Sequence, residues 1–446
     1  MSGPRRLLAL LVLAGALALA AAALAATGSL TFRGCIANAG ADGCQAPKRD
    51  SFGNNVALAI SQDSGSVYVA SFNGTLTRLT RDGATGDLSF TDCFADAGRH
   101  RCRDVPHDSL DGGSGVAISP DGASVYMTTE EPTSAINRFK VARTGRLGYR
   151  SCLANGGGHS GARSCDKPPR NSLDSNEAIA ISPDGRSAYV VSSGSDSITW
   201  FGRKSTGELR YRGCIADGGK HGCRRPNHDS LAGAFDVAVS PDGESVYVAS
   251  LTADAVTRFE RRPTGALVYK GCIANDGNHG CRRPKHDALT GADALAVSPD
   301  GNSVYVAAIR AGAITRFDRS AGGRLEPGGC FASFGAHECR QPLQNSLHAA
   351  DSVAVSPDGA SVYVGAMSGP TVNGGAGAIS WFKRGADGSL TSRGCFADGG
   401  KHECEPPPLD SLDSPESVAV SPDGRSVYVG SYGRAVSIFD REQPGP

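Results

Sequence analysis

Short apolar segments separated by polar turns recur along most of the chain. A typical unit opens with an apolar run at residues 237–239, passes through a Ser-Pro-Asp-Gly turn, and resumes as Val-Tyr-Val at residues 246–248. A third segment follows at residues 255–259, and a fourth follows a Gly-x-Leu sequence and ends at a Cys five residues after the Leu. Short segments rich in β-branched and aromatic residues, bounded by Gly, Pro and Asp, predict β-strands.

This four-strand unit occurs seven times. A degenerate copy of the turn, residues 61–65, precedes the first complete copy by 58 residues, and the spacing between complete copies is 58 to 65 residues. The complete copies begin at Ser119, Ser182, Ser240, Ser298, Ser356 and Ser421. Pro presets φ, Asp bonds the local backbone and Gly takes the left-handed position, so the motif is a turn. Seven four-stranded units predict an all-β fold, a seven-bladed β-propeller.

The order of the segments also predicts how the ring closes. The first strand, residues 30–36, is of the fourth type, and the last strand, residues 435–439, is of the third type. The last blade therefore lacks its outer strand, and we expect the N-terminal strand to supply it. Main-chain hydrogen bonds would then join the first and last blades without an open edge.

The N-terminal residues have the features of an export signal. Arg5 and Arg6 precede an apolar run at residues 7–24, and Ala-Leu-Ala at 23–25 fits the small-x-small cleavage rule. We predict a signal peptide over residues 1–25, the propeller over 26–440 and a C-terminal tail over 441–446. A retained signal anchor is the alternative, because the apolar run is nearly long enough to span a bilayer. Either reading places the protein outside the cytoplasm, secreted or anchored.

The chain has fourteen cysteines, two in each unit, which agrees with export because oxidising compartments favour pairing. Six pairs have a spacing of nine residues and the third has thirteen. Structural zinc usually requires closer Cys pairs, so we expect one disulfide loop per blade, with no metal and no cofactor. The predicted pairs are Cys35–Cys44, Cys93–Cys102, Cys152–Cys165, Cys214–Cys223, Cys272–Cys281, Cys330–Cys339 and Cys395–Cys404.

All ten histidines lie in the insertions that carry these cysteines. Every connection from an outer strand to the next inner strand emerges on one face of a propeller, here called the Cys-loop face. Five histidines stand two residues before the second Cys of their pair and are candidate binding residues on that face: His100, His221, His279, His337 and His402. Imidazoles bind metals and anions and change charge near neutral pH. The alternative is that each one satisfies a carbonyl of its own loop.

Two insertions between second and third strands break the sevenfold symmetry. They comprise residues 130–134 and residues 367–377, and both fall on the Cys-loop face. Asymmetry in a repeat protein marks the place where a specific ligand site is most readily added. A tolerated loop insertion is the alternative.

Val-Tyr-Val-Ala-Ser following a Ser-Pro-Asp-Gly turn, as in residues 240–250, resembles the YVTN-type propellers, which include the lactonase-like seven-bladed family. The resemblance covers about residues 28–440. It implies the propeller fold, in a group that contains 6-phosphogluconolactonase-like enzymes and surface-layer proteins. No set of residues here maps onto a lactonase active site, and the units are longer than those of the family.

Charge gives no sign of a nucleic-acid partner, because 45 basic side chains balance 45 acidic ones. We expect an exported, monomeric binding or scaffold propeller, with a ligand or protein partner of unknown identity on the Cys-loop face and no catalytic set. One alternative is a secreted lactonase-like hydrolase with acid, base or metal groups brought to the axis by different blades. The second alternative is a cell-envelope adhesion module.

Overall fold

The structure, a computed structural model, describes residues 28–155, 165–367 and 377–443. The predicted signal peptide, most of the insertion at 367–377 and the end of the predicted tail lie outside the described residues. Twenty-nine β-strands form seven sheets, which are the blades of a propeller. The predicted fold class is therefore confirmed.

Each blade has four antiparallel strands, numbered here in chain order. The first strand of the chain is β1 (Leu30–Ala37). Blade 1 contains β2 (Asn55–Ile60), β3 (Ser66–Ser71), β4 (Thr75–Arg81), β5 (Leu88–Asp96) and a short parallel edge strand, β6 (Arg103–Val105). Blade 2 contains β7 (Gly113–Ile118), β8 (Ser124–Thr129), β9 (Ala135–Val141) and β10 (Leu147–Ala154). Blade 3 contains β11 (Asn176–Ile181), β12 (Ser187–Ser192), β13 (Ser197–Arg203) and β14 (Leu209–Ala216).

The remaining blades follow the same plan. Blade 4 contains β15 (Ala234–Val239), β16 (Ser245–Ser250), β17 (Ala255–Arg261) and β18 (Leu267–Ala274). Blade 5 contains β19 (Ala292–Val297), β20 (Ser303–Ala308), β21 (Ala313–Arg319) and β22 (Leu325–Ala332). Blade 6 contains β23 (Ala350–Val355), β24 (Ser361–Ala366), β25 (Ala378–Arg384) and β26 (Leu390–Ala397). Blade 7 contains β27 (Pro415–Val420), β28 (Ser426–Ser431) and β29 (Ala435–Arg441).

Blade 7 is completed by the N-terminal strand, as the order of the segments predicts. Its sheet runs β1-β29-β28-β27, and β1 pairs with β29 from Leu30 opposite Arg441 to Ala37 opposite Ala435. Beyond the strands, the Gly28 amide donates to the Glu442 carbonyl at 2.9 Å. The two ends of the chain are thus joined by main-chain hydrogen bonds, which close the ring.

The core lies between the blades rather than inside any one of them. A representative cluster combines Tyr189 and Ile198 of blade 3 with Val246 and Phe259 of blade 4, all fully buried. Tyrosines of the Val-Tyr-Val type fill the gap between blades at all seven second strands. Burying each large apolar side chain stabilises the ring by about 1.5–3 kcal/mol.

A buried arginine clamps blade to blade on the face of the Ser-Pro-Asp-Gly turns. Arg319, at the end of β21, donates to the Tyr247 hydroxyl of blade 4 at 2.8 Å and to Asp242 of the blade 4 turn at 2.6 Å. Tyr247 in turn donates to the Gly323 carbonyl of blade 5 at 2.6 Å. Equivalent arginines, with side chains 7% or less exposed, occupy six of the seven interfaces: Arg81, Arg203, Arg261, Arg319, Arg384 and Arg441.

The exception lies between blades 1 and 2. The last residue of β9 is Val141, where the other third strands carry the clamp arginine. The turn that such an arginine would reach, residues 61–65, is the degenerate copy of Ser-Pro-Asp-Gly. The arginine and the complete turn are therefore absent together at this one interface. The degenerate turn still keeps Asp63, which accepts hydrogen bonds from the Ser61 hydroxyl at 2.5 Å and the Gly65 amide at 3.0 Å, so the turn Asp also has a local role.

Every blade carries one local disulfide at its outer edge, which confirms the seven predicted pairs. The segments between the paired cysteines include short 3₁₀ turns at Asn38–Gly43, Arg99–Arg101, Asp217–Gly222, Asn275–Gly280, Ser333–Glu338 and Asp398–Glu403. Closing a loop of about ten residues stabilises by roughly 2–3 kcal/mol in the chain-entropy model. Seven disulfides favour an oxidising, extracytoplasmic location.

A buried apolar residue follows each of these loops, Phe52 after the first and a Leu after the other six. The amides of Leu110 and Leu231 donate hydrogen bonds to the carboxyl groups of Asp96 and Asp217 at 2.9 Å, and both leucines are fully buried.

Among the described residues, helices that are long and apolar enough to cross a bilayer are absent.

Replacing a clamp arginine tests the role of these buried ion pairs. Arg319→Ala removes hydrogen bonds to Tyr247, Gly301 and Asp242, and we expect the free energy of unfolding to fall by roughly 2–4 kcal/mol. The matched control is Arg324→Ala, because Arg324 pairs with Glu326 on the surface and contributes about 0.5 kcal/mol or less. Scanning calorimetry of the two variants checks this. Equal melting temperatures would show that the clamp adds no stability.

Candidate functional site

A cavity of about 560 Å³ opens on the propeller axis where the inner strands begin. All seven blades contribute to its wall through the first residues of their inner strands. Because each inner strand follows a disulfide loop, the cavity opens on the Cys-loop face. Its volume lies within the range of small-molecule sites.

A β-bulge at the second residue of every inner strand shapes this wall. In blade 3, Asn176 pairs with Ser192 and Ala178 pairs with Val191, so Glu177 has no partner in the neighbouring strand. The same register shift occurs in the other six blades. Bulges re-aim side chains, and they are common beside functional sites. The residues at these positions, the bulge ring, are Val56, Ser114, Glu177, Phe235, Asp293, Asp351 and Glu416.

A second set of residues surrounds the entrance. Each is the first residue after the second strand of its blade. Its amide donates a hydrogen bond to the carbonyl of the residue before the inner strand, as the Leu251 amide does to the Gly233 carbonyl at 2.8 Å. This repeated bond fixes one side chain per blade at the rim. The residues of the rim ring are Phe72, Glu130, Ser193, Leu251, Ile309, Met367 and Tyr432, and all except Ser193 line the cavity.

Six carboxyl groups from six neighbouring blades converge on this cavity: Glu130, Glu177, Asp236, Asp293, Asp351 and Glu416. Lys, Arg and His are missing from the described residues that line the wall. The guanidinium of Arg310 lies at the rim and donates to the Leu251 carbonyl at 3.3 Å, outside the lining. The cavity therefore concentrates acidic groups without counter-charges.

Burial and mutual repulsion make these carboxyls hold their protons. Burial raises the pKa of both Glu130 and Glu177, and the neighbouring charge of Glu130 raises that of Glu177 further. Burial likewise raises the pKa of Asp293 and Asp351, and the charge of Asp351 adds to the effect on Asp293. Two carboxyl groups that share a site oppose each other's ionisation. Each of these two pairs therefore favours a state in which at least one member is protonated.

Glu416 completes the acidic wall. Burial, together with the charges of Asp351 and Glu130, raises the pKa of Glu416 to about 8. Asp236 is half-buried, desolvation raises its pKa, and its Oδ2 accepts the Leu295 amide of blade 5 at 2.8 Å. Strongly perturbed carboxyls in a concave site are a recognised mark of function.

Neutral polar groups support some of these carboxyls and leave others open. Glu177 accepts hydrogen bonds from the hydroxyls of Ser193 and Ser175, which fix its position. By contrast, the Ser352 and Ser417 hydroxyls lie in the wall beside Asp351 and Glu416 and have no hydrogen-bond partner. Ser352 is only 7% exposed, and its hydroxyl lies against Gly365 of the paired strand rather than open to the cavity.

The structure places the five candidate histidines away from this cavity. His100, His221, His279, His337 and His402 each lie in the 3₁₀ turn of a disulfide loop at the outer edge of a blade, with φ between 56° and 59°. None of them lines the axial cavity. Within the described ranges, three or more His, Cys, Asp or Glu side chains placed to hold a metal ion are not found. The binding role of the histidines stays a prediction.

The two asymmetric insertions, which we expected to mark a ligand site, both begin at the axial cavity. Glu130 and Met367 are the first residues of these insertions, and both line the cavity. The inner-strand carboxyls were not among the predicted site residues, although the repeats contain a signal for them. Aligning the repeats on the turn Ser shows Glu177, Asp293, Asp351 and Glu416 five residues before it, in segments that otherwise predict an apolar strand.

Comparison with known proteins identifies the fold. Neither a family model nor a curated protein sequence matches the chain. A solved structure described as a candidate 6-phosphogluconolactonase from Bacteroides uniformis matches with a TM-score of 0.58 and 15% identity, covering 86% of this chain and 91% of that one. A similarly described Bacteroides fragilis protein gives 0.59 and 17%, covering 86% and 90%.

A third solved structure is a periplasmic gluconolactonase from Pseudomonas aeruginosa. It gives a TM-score of 0.51 at 17% identity and covers 81% of this chain and 88% of the other. At such identities the likeness concerns the fold alone. The chain is therefore a seven-bladed propeller whose structural neighbours include proteins named as gluconolactonases.

The raised pKa of Glu416 predicts how stability depends on pH. The folded state keeps this proton up to about pH 8, whereas an unfolded Glu loses it near pH 4.3. Stability is therefore lost as the pH rises through this window. We expect Glu416→Gln to raise the melting temperature at pH 9 by roughly 2 °C or more and to change it little at pH 4.

The matched control is Glu244→Gln, because Glu244 lies exposed on the opposite, turn face. Differential scanning fluorimetry of both variants from pH 4 to pH 9 provides the comparison. A Glu416→Gln profile parallel to that of the parent protein would contradict a raised pKa at this position.

Proposed function

We propose that this protein is an extracytoplasmic propeller that binds a small molecule in the carboxyl-lined cavity on its axis. The observation that carries the proposal is the convergence of six carboxyl groups, from six blades, on one cavity of about 560 Å³. A scaffold would not need carboxyls whose ionisation is suppressed inside a cavity. Apolar walls with a few convergent polar groups are typical of ligand sites.

The chemistry of the wall limits what can bind. A phosphorylated or carboxylated ligand would meet carboxyl groups with no Lys, Arg or His among the described lining residues. Anion sites in proteins usually offer arginines, lysines or backbone amides at a helix start. The cavity is therefore suited to uncharged or positively charged molecules rather than to a sugar phosphate.

Hydrolysis of a neutral lactone is the second candidate function. It is favoured by the neighbouring carboxyls of Asp293 and Asp351, whose pKa values are raised by burial, and by the gluconolactonases among the structural neighbours. In such a reaction the ionised member of the Asp293–Asp351 pair takes a proton from water as the water oxygen bonds to the lactone carbonyl carbon. The protonated member gives its proton to the ring oxygen as the ring C–O bond breaks. The product is a hydroxy acid, and the pair exchanges roles.

Binding to the cavity can be tested without knowing the natural ligand. A panel of neutral lactones, polyols and small organic cations is screened by thermal shift and then by calorimetry. Ala294→Phe places a bulky ring in the wall, and we expect it to abolish every interaction found with the parent protein. Ala336→Phe, the same change in an exposed disulfide loop, is expected to leave them unchanged.

The same panel separates binding from hydrolysis. Release of acid from a neutral lactone, lost in Asp351→Asn while binding is kept, would identify a hydrolase. Ligand binding without turnover would identify a binding protein. Equal binding to Ala294→Phe and the parent would overturn the axial cavity as the site.

A further inference from the structure

The acidic cavity differs from an ordinary acidic surface patch because it is enclosed and its charges are not balanced by protein groups. Glu177 and Asp293 are 6% and 3% exposed, so water cannot solvate their ionised forms fully. Proteins balance buried charges by pairing them, and without a partner the group stays protonated instead. A positive charge entering this cavity would supply the missing partner for several carboxyls at once.

The rim adds aromatic and apolar surface above these carboxyls. Phe72 and Tyr432 are 41% and 48% exposed, and they are two of the few large hydrophobic side chains that are exposed in the described structure. Leu251, Ile309 and Met367 continue the rim, and Phe235 lies at the bulge ring. Aromatic faces attract cations within about 6 Å, and quaternary ammonium groups are often bound this way.

From the enclosed carboxyls and the apolar rim above them we infer that the axial cavity selects an organic cation, an ammonium group carried on an apolar framework. This inference rests on the proposed binding function and specifies its ligand class. The charge would lie among the carboxyls, while the apolar part would contact Phe72, Tyr432 and their rim neighbours. An anion would find no Lys, Arg or His among the described lining residues.

A bare metal ion fits the cavity less well than an organic cation. A metal ion requires several ligand atoms at about 2.0–2.6 Å from one point. In the described parts of the chain, three His, Cys, Asp or Glu side chains are not placed in that way. A cavity of about 560 Å³ with an apolar rim instead matches a molecule of several non-hydrogen atoms.

Binding of the cation would be coupled to loss of protons from the wall. The groups that titrate are the six carboxyls on the inner strands and at the rim, and Arg310 is a permanent positive charge outside the lining. A bound cation favours the ionised carboxyls, so affinity should increase as the pH rises. The number of protons released on binding is measurable from calorimetry in buffers of different ionisation enthalpy.

The test uses benzyltrimethylammonium, whose charge does not change with pH, against benzyl alcohol, its uncharged counterpart. Isothermal titration of the full-length protein at pH 8.5 should give the cation a Kd lower by about tenfold or more. The Kd of the cation should fall by about tenfold between pH 5.5 and pH 8.5, with release of protons. Calcium chloride and glucono-δ-lactone serve as the metal and neutral polyol probes.

Two lysine variants make the test specific to the cavity. Ile309→Lys introduces a tethered ammonium group at the entrance, and it should weaken binding of benzyltrimethylammonium by about tenfold or more. Ala336→Lys adds the same charge in an exposed disulfide loop outside the cavity, and it should keep the Kd within about threefold. If Ile309→Lys does not fold, Asp351→Asn provides an independent reduction of cavity charge and should weaken binding of the cation in the same direction.

Several results would overturn the inference. Equal affinity for benzyl alcohol and the cation, affinity independent of pH, or unchanged binding in Ile309→Lys and Asp351→Asn would each contradict selection of a cation. Calcium binding in place of the organic cation would assign the carboxyls to a metal. Tight binding of glucono-δ-lactone alone would leave the proposed binding function intact while rejecting the cation. Binding of no probe would count against both.

Discussion

Closure of the ring is the constraint on which the structure depends. The hydrogen bonds between β1 and β29 join segments about 400 residues apart, and without them the inner strands would have no common axis. Each blade buries its apolar faces only against its neighbours, so a gap at one interface would expose large side chains such as Tyr363 and Phe439. The cavity on the axis exists because all seven inner strands are arranged around that axis.

The two faces of the propeller differ in how their charged groups are balanced. On the turn face, six buried arginines connect blade to blade through Tyr and Asp partners, so their charges are balanced. On the Cys-loop face, disulfides secure the outer loops, while the carboxyls at the axis remain without basic partners. A chain that pairs its buried arginines so consistently also holds six carboxyls with no basic side chain among the described lining residues, and this contrast is the physical basis for placing function at the axis.

The repeats predict the fold well because each structural unit is encoded locally. The spacing from Leu209 to Cys214, the turn at Ser240 and the incomplete last blade follow from turn chemistry and strand pattern alone. The axial site was harder to predict, because Glu177 and Asp293 are distant in sequence and come to line one cavity only when their blades pack around the axis. The bulge that re-aims them leaves no Gly or Pro signal, and neither Ser114 nor Phe235 at equivalent positions repeats the acid. The histidines repeat more visibly, yet they lie in the outer loops.

Carboxyl groups at the axis stay protonated near neutral pH because burial and like charges oppose their ionisation. Infrared titration of the carboxyl C=O stretching band observes this directly in the full-length protein. We expect a protonated-carboxyl signal that persists at pH 6.5 and decreases in the Asp293→Asn/Asp351→Asn variant. If the signal has already disappeared completely when the pH is raised to about 5, as it does for ordinary Asp and Glu side chains, the carboxyls at the axis do not hold their protons.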